Sequence, residues 1–133
     1  MKIFVTGATG FIGKEVLPLL HERGHSIVAL TRDAERAGVS LPVVCEVVVG
    51  DPQQSGSWTR KLEDVDAVLH LAGENVARRW AAFRKREIVC SRIESTRNLI
   101  QAFQKLKQKP SVFVSASAVG YYGDRGDDEL NES

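Results

Sequence analysis

The chain has 133 residues, of which 43% are hydrophobic, and 18 basic against 17 acidic residues give it a net charge of +1. That fits one domain around one sizeable core. The balanced charge supplies neither a basic field for nucleic acid nor an acidic block that would favour disorder, so the expected partner is a small molecule. No apolar run approaches the roughly 20 residues of a membrane span, and the apolar start at Ile3 is broken by Gly7, too early for a signal segment. Cys45 and Cys90 fall on a predicted strand and a predicted helix, without metal-ligand spacing. They read as reduced, buried thiols of a cytoplasmic protein.

Lys2 to Thr6 is a short, mostly apolar, β-branched run, as a central parallel strand requires. Thr6-Gly7-Ala8-Thr9-Gly10-Phe11-Ile12-Gly13 then forms a glycine turn opening a helix, whose expected packing stripe is Ile12, Val16, Leu19 and Leu20. Pro18 sits inside that helix, where it removes a hydrogen bond and favours a kink. Gly24 caps its end.

Ser26 to Thr31 is the second strand, ended by Arg32-Asp33, and the polar segment Ala34 to Ser40 reads as connection. Val43 to Val49 is the third strand, and Pro42 at its start suits a sheet edge. Ser57 to Glu63 makes one short helix with Ser57 as its cap. Ala67 to Leu71 is the fourth strand. From about Val76 to Lys107 apolar residues recur at helical intervals with no proline or glycine between them, which predicts one long helix. Ser111 to Ser117 is the fifth strand, and the segment with Gly120, Gly123 and Gly126 reads as loop. Strands alternating with helices imply right-handed crossovers and a doubly wound parallel α/β sheet in the order 3-2-1-4-5.

The glycine turn is the first candidate site. It brings bare backbone N–H groups and the positive end of a helix dipole to one point, where a phosphate can be held without a cationic side chain. Gly7 permits the bend, Gly10 lets backbone approach a pyrophosphate, and Gly13 lets the helix pack closely, with Thr9, Phe11 and Ile12 completing the turn. A P-loop does not fit, because Ala8 stands where its first glycine belongs and Glu15 where Ser or Thr would bind magnesium. The remaining alternative is a purely structural turn.

The end of the second strand bears on cofactor choice. A carboxylate there suits the ribose hydroxyls of NAD, whereas a cation suits the 2′-phosphate of NADP. Thr31 and Arg32 occupy the strand end, with Asp33 next and Arg36 nearby, and Arg32 can pair with a phosphate and stack on adenine. NADP is therefore favoured, NAD being the alternative if Asp33 turns inward. Asp51 suits an adenine amino group or a loop cap. Leu71, Ala72 and Gly73 suit backbone passing close to a cofactor, and His70 reads as a satisfied core histidine rather than a base.

The segments TGATGFIG, TRD, GD at Asp51, HLAGEN, SRIESTRNL and VSASAVGYYGDRGDDE together resemble the short-chain dehydrogenase/reductase superfamily. Within it the chain resembles the epimerase-like branch described as nucleoside-diphosphate-sugar epimerases. The resemblance covers nearly the whole chain and implies a Rossmann fold, an NAD(P) cofactor and a carbonyl or nucleotide-sugar substrate. It aligns Ser117 with the serine that hydrogen-bonds the reacting oxygen once Tyr121 is laid on the family's V-Y-G tyrosine, which makes Ser117 and Tyr121 the catalytic candidates, with Ser115 as the neighbouring alternative to Ser117. It also points to Glu87 and Arg92 on the long helix as groups near the cofactor. An arginine beside Val89 and Ile93 wants an anionic partner, and an exposed helix ion pair is the competing reading. The family's Y-x-x-x-K pair, whose lysine lowers the tyrosine pKa, is absent from these 133 residues. The resemblance therefore implies the N-terminal cofactor half of a longer protein, with an incomplete C-terminal lobe. It also implies a homodimer through the long helix and a later one. A non-catalytic NADP-responsive module and a ligand-free Rossmann remnant are the alternatives to an enzyme.

Overall fold

The computed structural model describes residues 1–76, 81–117, 123–129 and 131. Five strands, β1 (Lys2–Thr6), β2 (Ser26–Thr31), β3 (Glu46–Val49), β4 (Ala67–His70) and β5 (Val112–Ser115), form one sheet in the order β3-β2-β1-β4-β5. Every adjacent pair is parallel. Thr6 lies opposite Leu30 and His70, Thr31 opposite Val49, and His70 opposite Ser115, so the five C-terminal strand ends share one edge. The expected order and direction are thus found.

Alternation along the central strands builds two cores. Phe4, Val28, Leu30 and Val68 point to one face, where Trp58, Leu62, Leu99 and Ala102 cover them. Ile3, Val5, Ile27 and Ala29 point to the other, against Leu17. Leu17 belongs to α1 (Phe11–Glu22), Trp58 and Leu62 to a 3-10 turn at Ser57–Leu62, and Leu99 to the long helix. Burial on both faces is what a run with few polar residues demands.

Several boundaries differ from the sequence reading. Ala34–Ser40 is a helix, α2, rather than connection. Its signal was weak because Gly38 and Ser40 are poor helix formers, yet the wholly buried Ala37 anchors it. The long helix, α3, spans Ala82–Lys105, and β3 starts at Glu46, leaving Cys45 just before it. Both cysteines are free and half-buried rather than buried. The cap of the 3-10 turn is Gly56, with no side-chain bond, in place of Ser57.

The packing stripe of α1 is also shifted. Gly13, Leu17 and Leu20 face the sheet, whereas Ile12 and Leu19 are 53% and 54% exposed. The helix can rotate this way because Gly13 has no side chain to hold it off the turn. Pro18 lies inside α1 without ending it; the carbonyl it leaves without a donor belongs to exposed Lys14. Gly24 closes the helix as expected, at φ +76°, with its amide on the His21 carbonyl at 2.9 Å and that of His25 on Leu20 at 3.1 Å.

Candidate cofactor site

The glycine turn leaves β1 at the centre of the sheet, where the strand order reverses. Gly7 takes φ +75°, and a Cβ placed on it would stand 2.6 Å from the Leu71 carbonyl carbon and 2.7 Å from the Ala72 amide nitrogen. The bend and the close approach both require glycine. A Cβ on Gly13 would stand 2.5 Å from the carbonyl oxygens of both Gly7 and Ala8, so this glycine seats α1 on its own turn. The Gly10 amide closes the turn onto the Gly7 carbonyl at 2.9 Å.

No side chain caps α1, and its first turn carries no acidic residue. The N–H groups of Phe11, Ile12 and Gly13 therefore lack intrahelical carbonyls at the positive end of the dipole. Gly10 is exposed, Thr9 is half-buried, and Phe11 is 87% exposed. Uncapped donors, an exposed glycine and no competing carboxylate fit the pyrophosphate of a dinucleotide.

At the end of β2 the Thr31 hydroxyl accepts the Asp33 amide at 3.2 Å and lies 3.0 Å from the Asp33 carbonyl. This local turn holds Arg32 at the edge, where it is exposed. The Gly50 amide reaches the Thr31 carbonyl at 2.8 Å, which brings Asp51 beside the same strand end. Asp51 accepts the Gln53 amide at 2.9 Å, so it serves as a loop cap, and the Asn98 side chain ties the adjacent Pro52 carbonyl to α3 at 3.0 Å.

Leu71, Ala72 and Gly73 run past the turn toward α3. The Arg92 guanidinium carbon would lie 3.0 Å from a Cβ on Gly73, and Arg92 donates to the carbonyls of Glu74 and Ile88 at 3.3 and 3.2 Å. Its anchors are thus backbone oxygens. Glu87 pairs instead with Arg84 at 3.0 Å, and Arg84 reaches Glu74 at 3.4 Å. Arg92 is brought against the loop at the glycine turn, while Glu87 is held in an ion pair at the start of α3.

His70 is a satisfied core histidine, as expected. It is 3% exposed, with Nδ1 2.6 Å from the Thr6 hydroxyl and Nε2 3.1 Å from that of Ser95 and 3.2 Å from that of Thr96. Burial pushes its pKa down to about 4, which keeps it neutral at physiological pH. Ser91 accepts the Glu74 amide at 2.9 Å. Thr6, Ser91 and Ser95 were assigned no role from sequence, although two serines four apart on the buried face of a helix were a visible signal.

Of the two catalytic candidates, Ser117 lies two residues beyond the end of β5 and is exposed. Tyr121 lies outside the described residues. Ser115 ends β5 opposite His70, and the Ala116 amide bonds the His70 carbonyl at 3.0 Å. Among the described residues no helix is long and apolar enough to cross a membrane, and no three His, Cys, Asp or Glu side chains group as a metal site.

A parallel sheet in this order, with an uncapped glycine turn at its switch point, defines a Rossmann dinucleotide-binding domain. A family model described as the NAD dependent epimerase/dehydratase family matches residues 3–133. The chain belongs to that family, within the extended short-chain dehydrogenase/reductases, and is an NAD(P)-binding domain of that type. It is 36% identical over 118 residues to Epimerase family protein SSP1921 of Staphylococcus saprophyticus, which covers 89% of this chain and 38% of that protein. Epimerase family protein YfhF of Bacillus subtilis is 32% identical over 123 residues, covering 92% of this chain and 39% of the other. The chain thus spans less than two fifths of the length of these curated relatives.

Among solved structures, human epimerase family protein SDR39U1 with NADPH superposes with a TM-score of 0.69 and 30% identity, over 92% of this chain and 38% of that one. UDP-glucuronic acid 4-epimerase from Bacillus cereus, with UDP-glucuronic acid and NAD, gives 0.76 and 26%, over 99% and 44%.

Proposed function

We propose that this chain is the NADP-binding part of an epimerase-like short-chain dehydrogenase/reductase, and that the whole protein performs hydride chemistry on a carbonyl or nucleotide-sugar substrate. The observation that carries the reading is the uncapped start of α1, seated by Gly7 against Leu71 and Ala72. The N–H groups of Phe11, Ile12 and Gly13 bind the pyrophosphate, Arg32 meets the 2′-phosphate, and Asp51, capping its loop through one carboxylate oxygen, keeps the other for the adenine amino group. Leu71 to Gly73, with Arg92 behind them and Glu87 nearer the start of α3, form the wall on the nicotinamide side. The bound cofactor supplies or accepts hydride, and Ser117 orients the reacting oxygen, with Tyr121 as the accompanying phenol. The preference for NADP rests on Arg32 and is supported by the human relative solved with NADPH, while the Bacillus cereus epimerase was solved with NAD. A homodimer through α3 belongs to the same proposal.

Titration with NADPH and NADH, followed by tryptophan fluorescence or calorimetry, tests the reading. Saturable binding with NADPH preferred supports it, and no saturable binding of either overturns it. The absence of a Y-x-x-x-K pair from these residues favours a second reading, a non-catalytic module whose association with a partner responds to NADP. Hydride exchange between labelled NADPH and a carbonyl or nucleotide-sugar panel on the full-length protein would exclude that second reading.

A further inference from the structure

A run of hydrogen bonds leads from the proposed cofactor wall into the core. The Ala72 amide can only donate, and it reaches the Thr6 hydroxyl at 3.2 Å. Thr6 Oγ1 lies 2.6 Å from His70 Nδ1, and His70 Nε2 lies 3.1 Å from the Ser95 hydroxyl and 3.2 Å from that of Thr96. Ser95 passes its own hydrogen to the Ser91 carbonyl one turn back on α3. The Ser91 carbonyl can only accept, so with the Ser95 hydrogen spent on it His70 Nε2 donates to Ser95 and Nδ1 accepts. The Thr6 hydrogen then goes to Nδ1, while a Thr6 lone pair takes the Ala72 amide. Thr6 also takes the Leu71 amide on its backbone carbonyl at 3.0 Å.

This arrangement is more than a filled core needs. Apolar groups of the same shape would occupy the space at little cost, whereas each polar member requires a partner. The run does fix the depth at which Leu71 and Ala72 pass the turn, and that backbone stands within 2.7 Å of where a Gly7 side chain would begin. We infer that Thr6, His70 and Ser95 form a positioning relay that fixes the Leu71–Ala72 backbone on the glycine turn, and thereby sets the shape of the dinucleotide cradle. All three are buried, at 0%, 3% and 0% exposed, so they act through the wall rather than at its surface. The inference rests on the cofactor-binding reading and adds to it which core residues hold the site in shape.

The test measures NADPH affinity and urea stability together for Thr6→Val, Thr6→Ser and Ser95→Ala, with Val68→Ala as a core control outside the relay. Thr6→Val weakens NADPH binding about tenfold, the scale of one lost buried hydrogen bond, and Thr6→Ser returns it to within about twofold. Val68→Ala lowers stability and leaves affinity unchanged. Nitrogen NMR of the imidazole in the unliganded protein shows a protonated Nε2 and a bare Nδ1, and Ser95→Ala shifts the Ala72 amide resonance. A folded Thr6→Val that binds like the wild type, loss in Thr6→Ser equal to that in Thr6→Val, or a proton on Nδ1 overturns the relay alone. If Thr6→Val does not fold, Ser95→Ala decides, with weakened binding supporting the relay and unchanged binding overturning it. A wild-type chain that binds neither NADPH nor NADH overturns the cofactor reading itself.

Discussion

Leu71 passes so close to Gly7 that a single methyl on the glycine would stand 2.6 Å from the Leu71 carbonyl carbon. Nothing flexible lies between them, because both sides of the contact are backbone. Gly24 has nearly the same torsion, φ +76° against +75°, but no atom lies within 4 Å of where its Cβ would go. The pair therefore separates torsional strain from collision. Gly24→Ala costs about 1 kcal/mol, the left-handed penalty alone. Gly7→Ala costs roughly 3 kcal/mol or more, since the strand-end backbone has to move as well. Urea unfolding of the two variants gives the difference, and equal losses would mean that the Gly7–Leu71 contact is not tight in solution.

Arg32 provides the second prediction. It stands exposed at the edge of a turn held by Thr31 and Asp33, so truncating it disturbs no packing. A charge-assisted bond to a phosphate contributes about 1.5–3 kcal/mol. Arg32→Ala should then weaken NADPH about tenfold or more by calorimetry and leave NADH within about twofold. An equal loss for both cofactors, or none for either, removes the preference for NADP.

The sheet was legible because its strands are short, apolar and β-branched, and because each of the first four is closed by a glycine or a charged pair. The parallel order followed from helices filling the crossovers. What stayed hidden were features decided by close contact. The rotation of α1 away from the expected Ile12 and Leu19 stripe depends on Gly13 meeting the Gly7 and Ala8 carbonyls, which no hydrophobic period reports. α2 was missed because one buried Ala37 anchors a seven-residue helix. The glycine turn, Arg32 and Leu71–Gly73 could be read as one site from spacing along the strands. Thr6 could not, since a hydroxyl ending an apolar run looks the same whether or not it meets a histidine from another strand, and the i, i+4 spacing of Ser91 and Ser95 marks a shared helix face without naming what they meet.

His70 makes acid stability a third prediction. Its partners Thr6, Ser95 and Thr96, and the stacked ring of Phe113, carry no charge, so nothing offsets the cost of burying an imidazolium. Its pKa falls from 6.5 to about 4. Above pH 6.5 the ring is neutral in both folded and unfolded chains, and its contribution is fully present. Between 6.5 and 4 only the unfolded chain takes up the proton, so stability declines as the pH drops and levels off below 4. The loss is about 3 kcal/mol. Urea midpoints across that range should drop in the wild type and flatten in His70→Gln; a wild-type profile that is level there would show that the ring is not buried neutral.

Self-association is the last prediction, and it follows from α3 carrying an exposed apolar stripe opposite its buried face. Ser91, Ser95, Leu99 and Ala102 recur at intervals of three and four and face the sheet. On the other side Val89, Ile93 and Ile100 repeat at four and seven and are 52%, 48% and 39% exposed. A helix serving only one core has no use for the second stripe. A second copy is the occupant proposed here, because an apolar stripe on a helix complements itself when two helices cross about a two-fold axis. The exposed Arg97–Glu94 pair beside it, at 2.6 Å, leaves the stripe edged by charge of both signs, compatible with a like partner. Ile93→Glu would bury a carboxylate in that contact and should convert a sedimenting dimer to monomer, its urea midpoint falling only to that of the wild type diluted to monomer, since the residue makes no part of either core. A wild-type chain that sediments as a monomer at tens of micromolar would leave the second stripe without this partner.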